Sequence, residues 1–249
     1  REALTVKVQT IINEATIKET VRNIRKLYQE DGYYFARVEA VLKEGKRNTV
    51  DVTLMINEGE SVAIETIVFR GNESISRKDI LSAMETDEAG FWSIITESGI
   101  FKEDDLEKDL LRIRLLYQSR GYFKAQIGQP VVTEDRDRGK LNIIISISEG
   151  FQYNTGELEI RGGEDVIPPE ELKNDFRLFT GEVFNRGFMI QDTQGITDAF
   201  AARGYAFADV RPSTRADDEK KTISIIYNVK KGRRVYIGKI TVKGNTRTR

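Results

Sequence analysis

Among its 249 residues the chain has no cysteine and no histidine. The first absence excludes disulfide staples, thiolate metal sites and thiol nucleophiles. The second removes the commonest metal ligand and the side chain most used for proton transfer near neutral pH. A thiol-free chain suits an oxidising periplasm, although the cysteine count alone leaves the compartment open. No charge excess exists either: 39 Lys and Arg stand against 40 Asp and Glu, a net charge of -1, so no global field attracts nucleic acid. No apolar run reaches the roughly 18 residues that a membrane-crossing helix needs. Phosphate loops, dinucleotide fingerprints and metal-ligand spacings are missing, and the carboxylates fall on expected helix surfaces and hairpin tips, as solvating groups do. The chain reads as a non-enzyme that takes no cofactor. Running from Arg1 to Arg249 without a signal peptide, it also reads as a piece of something longer.

What is present is enough apolar material for packed cores, 39% hydrophobic against 32% charged residues, and a threefold internal repeat. Gly32-Tyr33-Tyr34-Phe35-Ala36, Gly121-Tyr122-Phe123-Lys124-Ala125 and Gly204-Tyr205-Ala206-Phe207-Ala208 recur at separations of 89 and 83 residues. A second glycine anchor, Gly59, Gly150 and Gly232, is spaced by 91 and 82. A third lies 12 residues beyond each of these, at Gly71, Gly162 and Gly244. Three anchors keeping step over two periods make chance coincidence a poor explanation.

Within each period the apolar spacing switches between two and about 3.6 residues. Ile17, Val21, Ile24 and Leu27 form one helical face; Leu106, Leu110, Ile113 and Leu116 repeat it, as do Met189, Thr193, Ile196 and Ala199. Each helix should stop at the glycine of the Gly-aromatic anchor. Alternation then marks a hairpin whose second strand carries Val50, Val52, Leu54 and Ile56; Leu141, Ile143, Ile145 and Ile147; or Ile223, Ile225, Tyr227 and Val229. A strand opens each unit at Ile67 and Phe69, Leu158 and Ile160, and Ile240 and Val242. Shorter helices are expected over Ser76 to Met84 and Pro168 to Phe179. The expected class is α+β, in tandem βααββ modules. Each is a three-stranded mixed sheet covered by two helices on one face. Residues 1–59 are a partial module lacking its opening strand, 60–150 and 151–232 are complete, and 233–249 hold the opening strand of another.

The βααββ order, the Leu-Tyr-Gln-x-x-Gly-Tyr segments at Leu27 to Tyr33 and Leu116 to Tyr122, and the Gly-Asn turns resemble polypeptide-transport-associated (POTRA) domains over essentially the whole chain. The third copy departs from that pattern at Gly162-Gly163-Glu164. The resemblance implies a periplasmic arm of an outer-membrane protein, covalently continuous with a C-terminal membrane barrel absent from these residues. It implies handling of unfolded outer-membrane β-barrel proteins and docking of accessory assembly lipoproteins. A related translocation factor or a passive periplasmic spacer shares the same fold.

A three-stranded sheet leaves an edge with unpaired backbone groups, and an extended client can pair with it by β-augmentation. The strands after the Gly-aromatic anchors are the expected edges, because Pro130 and Pro212 lack donors and prolines belong on edges. The client-binding candidates are therefore Tyr33, Phe35 and Arg37; Tyr122, Lys124, Gln126 and Gln129; and Tyr205, Phe207 and Asp209. Phe91 and Trp92 are read either as an apolar contact patch or as packing over the helices.

Overall fold

The computed structural model describes residues 13–46, 49–59, 61–90, 99–135, 138–241 and 243. The chain divides into two compact units, Arg1–Leu116 with Gln126–Glu149, and Tyr117–Ala125 with Gly150–Arg249.

In the first unit, helix α1 (Glu14–Glu30) begins where the Asn13 side chain accepts a hydrogen bond from the Ala15 N–H at 2.9 Å. Strands β1 (Arg37–Glu44) and β2 (Val50–Asn57) form an antiparallel hairpin. β3 (Ala63–Arg70) leads into α2 (Arg77–Ala83), capped by the Ser76 side chain, and then α3 (Glu103–Ser119), whose last turn crosses into the second unit. β4 (Gln126–Ile127), β5 (Val131–Asp135) and β6 (Lys140–Ser148) follow. β3 pairs with β6 in parallel, while β4 and β5 lie end to end on its other side, antiparallel. The last strand is thus the middle one. Its Leu141, Ile143 and Ile145 are fully buried and alternate with less buried neighbours, as the period of two requires.

The second unit repeats the design with β7 (Asn154–Arg161), α4 (Pro169–Lys173), α5 (Arg186–Ala202), β8 (Asp209–Asp217) and β9 (Thr222–Lys230) in the order β7-β9-β8. Tyr153, Ile160, Leu172, Phe176, Met189, Ile196 and Phe200 share one core with Ile223, Ile225 and Tyr227. The fold is α+β with three-stranded mixed sheets and helices, as expected.

Four expectations need correction. The hairpin of the first copy is not buried on one face: Val50 and Ile56 are exposed, because α1 is the one helix packed on that two-stranded sheet among the described residues. Leu27, expected on the buried face of α1, is likewise exposed, and Thr20 is buried instead. The helix expected over Pro168 to Phe179 ends at Lys173, because the Asp192 carboxylate takes the N–H groups of Arg177 and Leu178 and turns the chain away. Ile240 lies exposed and outside any strand, since an opening strand pairs with a later hairpin strand and the described chain has none left for it.

One glycine anchor has a steric cause that recurs. Gly71 and Gly162 stand at φ +85° and +95°, and a Cβ there would lie 2.2 Å from the Ile147 carbonyl oxygen or 2.3 Å from that of Val229. In the third copy Gly163, at φ +79°, is also boxed in, by the Phe200 ring at 2.5 Å, so the Gly-Gly departure there is a demand of the tighter turn.

Two stability outcomes follow. Gly162→Ala should lower stability by about 1–3 kcal/mol, because it adds both an unfavourable φ and a clash with backbone; denaturant unfolding measures this. Ile225→Asp, at a site with no exposure, should cost about 3–5 kcal/mol by burying an unpaired charge. The expected readout is collapse of the β9 amide signals.

Candidate strand-docking edges

The Gly-aromatic anchors are sockets, not strands. After α1, Gly32 at φ +93° reverses the chain, the Tyr33 N–H donates to Tyr28 and the Ala36 N–H to Tyr33. The Gly32 carbonyl accepts the Val62 N–H at 3.3 Å, and the Val62 carbonyl accepts the Phe101 N–H at 3.0 Å. The Tyr34 ring meets Phe101 edge-on at 4.8 Å. In the second unit the same set returns. The Gly121 carbonyl accepts the Tyr153 N–H, the Tyr153 carbonyl accepts the Phe184 N–H, each at 2.9 Å, and Phe123 meets Phe184 at 5.5 Å. The Gly204 carbonyl accepts from Val235 at 2.9 Å.

Six of the expected edge residues therefore do not lie on an edge strand. Tyr33, Phe35, Tyr122, Lys124, Tyr205 and Phe207 occupy these turns. Lys124 is engaged by Asp218 at 2.6 Å, an ion pair that raises the lysine and lowers the carboxyl. The Tyr153 hydroxyl donates to the same carboxylate at 2.9 Å. Phe207 is 76% exposed. Arg37, Gln126 and Asp209 do begin strands, and Gln129 sits in the break between β4 and β5. Phe91 and Trp92 lie outside the described residues.

That break is a β-bulge. Ile127 faces Ile147 and Val131 faces Ile144, so Gly128, Gln129 and Pro130 oppose Ile145 and Ser146. The extra residue bends the strand. Pro130 is consumed within the bulge, so the five residues of β5 keep every backbone donor. β8 differs, because Pro212 sits inside it opposite Tyr227 and interrupts the row. Among the described strands, each of the two pairs with one neighbour, β5 with β6 and β8 with β9.

The opening strands β3 and β7 are edges too, which the sequence reasoning missed. Alternation identifies a strand but not its neighbours, and only the sheet order puts the last strand in the middle.

A POTRA family model, described as surface antigen variable number repeat, matches residues 1–59, 62–150 and 153–232. The chain belongs to the POTRA family. It is similar to the outer membrane protein assembly factor BamA of Neisseria meningitidis serogroup B, 27% identical over 237 residues that cover 95% of this chain and 30% of that protein. BamA of Nitratidesulfovibrio vulgaris is 27% identical over 256 residues, covering 99% and 32%. The crystal structure of POTRA3-5 of Haemophilus influenzae BamA is similar at a TM-score of 0.59 and 29% identity, covering 76% of this chain and 73% of that one. The chain spans about a third of the length of these curated relatives.

In this POTRA chain, buried carboxylates hold the segments that border the opening strands. Asp109 accepts the Glu85 and Thr86 N–H groups, each at 2.8 Å, and Arg112 at 2.7 Å. Asp192, at the same phase of α5, accepts the N–H groups of Arg177 at 2.6 Å and Leu178 at 3.2 Å. The visible signal was a carboxylate on an apolar stripe, three residues after Leu106 or Met189 and four before Ile113 or Ile196. Downstream of each anchor the chain pairs with the start of the opening strand. Ala89 N–H donates to Ile64, and Gly181 N–H to Thr155, each at 2.8 Å. Glu88 then reaches β3 itself. Burial alone would raise its carboxyl, but hydrogen bonds from Arg77, the Ile67 N–H and Thr66 outweigh that and hold it below its ordinary value.

Asp192 is raised, because burial outweighs its hydrogen bonds from Arg177, Leu178 and Tyr227. Burial and the Asp192 charge together raise the Tyr227 phenol. A carboxyl whose folded pKa exceeds its unfolded one binds its proton first in the folded state. Its contribution to stability is present below the unfolded pKa and is lost as pH rises through the folded value. Relative to Asp192→Asn, the parent chain should gain stability as pH falls from about 7 to about 4. Paired denaturant titrations measure the difference, and a pH-independent gap would contradict it.

Proposed function

We propose that this chain is the periplasmic arm of an outer-membrane protein assembly factor, binding unfolded β-barrel precursors by strand addition and docking accessory lipoproteins. In this reading its modules are residues 1–59, 60–150 and 151–232, residues 233–249 begin a further one, and a membrane barrel continues the chain. The single observation that carries client binding is the β5 edge. Its Val131–Thr133 stretch follows a bulge, among the described strands pairs with β6 alone, and has no proline. Main-chain pairing supplies affinity with little dependence on client sequence, which suits a receptor for many different barrel strands. The similarity to BamA proteins supports the compartment and the client class. No helix among the described residues is long and apolar enough to cross a membrane.

A photo-crosslinker at exposed Gln126 or Gln129 should capture unfolded β-barrel protein. A proline scan through Val131, Val132, Thr133 and Glu134 adds the decisive readout. At every second position the N–H points away from β6, so proline there should spare the fold and weaken capture by about 1 kcal/mol or more. Capture that is unaffected at all outward positions of a folded chain would rule out strand addition at this edge.

A further inference from the structure

The two complete copies treat their opening strands differently. On β3, the backbone groups of Ile67 turn away from β6 and both are occupied by side chains. The Glu88 carboxylate accepts the Ile67 N–H at 2.6 Å. The Arg77 guanidinium donates to the Ile67 carbonyl through Nε and Nη2, each at 3.3 Å. Arg77 and Glu88 are ion-paired with each other, and Thr66 Oγ1 adds a hydrogen bond to Glu88 at 3.1 Å. The clasp closes over the middle of the strand's outer rim, and the Ile64 groups beside it are already taken by Gly99 and Ala89.

The equivalent positions in the third copy follow from shared contacts. Ile67 faces Ile143 as Leu158 faces Ile225. Asp109 binds Glu85 and Thr86 as Asp192 binds Arg177 and Leu178, so Glu88 corresponds to Thr180. Arg77 and Pro169 are the first residues of their helices. Neither replacement can rebuild the clasp. Proline has no side-chain donor, and the Thr180 hydroxyl donates to the Gly156 carbonyl at 2.9 Å. Among the described residues, no side chain hydrogen-bonds the backbone of Leu158 or Ile160.

We propose that Arg77 and Glu88 form a guard that closes the β3 edge to strand addition, and that the unguarded β7 edge at Leu158 and Ile160 is a further docking site for an extended polypeptide strand. This rests on the strand-addition reading above. A guarded edge has no free donor and acceptor at the central position, so an incoming strand must first break a charge-assisted pair. Pairing in the second copy is thereby directed to β5, while the third copy offers β7 in addition to the proline-interrupted β8.

The test uses the whole 249-residue chain and a synthetic peptide of about ten residues with alternating apolar and polar side chains, the length of a membrane barrel strand. Amide hydrogen exchange is followed with and without the peptide. In the parent, the peptide should slow exchange at Leu158 and Ile160 about tenfold or more and leave Ile67 unchanged. In Arg77→Ala with Glu88→Ala, Ile67 should exchange faster than in the parent and become slowed by the peptide. In case that variant unfolds, the converse graft, Pro169→Arg with Thr180→Glu, should abolish the effect at Leu158. Slowing at Ile67 in the parent beyond its unliganded rate overturns the guard. Slowing in β5 but not at Leu158 overturns the β7 site alone, whereas no slowing at any edge, β5 included, removes the strand-addition reading and this proposal with it.

Discussion

The last strand of each complete copy is paired on both sides, and the rest of the architecture depends on that. Ile143 of β6 lies opposite Ile67 on one flank and Val132 on the other; Ile225 of β9 lies between Leu158 and Thr214. Their inward residues Leu141, Ile143 and Ile145, and Ile223, Ile225 and Tyr227, are fully buried. Once the final strand takes the centre, its two partners are necessarily rims, one parallel and one antiparallel. The fold thus presents two rows of outward backbone groups per complete sheet, and each row must be paired, covered or left available.

The covering is carried by a buried carboxylate that serves the backbone. Asp109 and Asp192 occupy the core stripe of their helices and satisfy two N–H groups each of the segment between the helices. A buried charge is tolerable only with such partners. The same bonds end the short helix and steer the following residues along the opening strand, where Ala89 and Gly181 pair with its first turn-out positions. Whether the guard extends further then depends on two side chains, Arg77 and Glu88, that the third copy replaces with Pro169 and Thr180.

The turn contacts and the sheet rims use different parts of the repeat. The Gly-aromatic turn supplies a carbonyl and a ring to the segment that follows, so its aromatics are spent on docking within the chain. Tyr34 on Phe101 and Phe123 on Phe184 are the recurring pairs. The third copy moves its aromatic by one position, from Ala206 to Phe207, and leaves that ring in solvent. Gln126 and the bulge lie on the sheet rim beyond the turn.

The repeat, its βααββ order and the buried strand faces of the second and third copies were legible in the residues themselves, because glycine anchors and period-two alternation are local properties of a chain. Leu141, Ile143, Ile145, Ile223 and Ile225 needed no tertiary information to be assigned to cores. The helix faces were legible only in part. A stripe of apolar residues does not announce that a carboxylate at Asp109 or Asp192 is buried among them. Edge identity was not legible for β3 and β7, since alternation says which face of a strand is inside and nothing about which strand lies beside it. Tyr33, Phe35, Tyr122, Lys124, Tyr205 and Phe207 were misplaced for a related reason. A positive-φ glycine followed by aromatics fits a strand start and a hydrogen-bonded turn equally well, and the choice is made by long-range partners, Val62, Tyr153 and Val235, that lie about thirty residues further along the chain. Composition and spacing determined the repeat and its strand faces. The rims, the sockets and the guard at Ile67 were decided by tertiary structure, because a backbone hydrogen bond is satisfied by whatever group arrives in space.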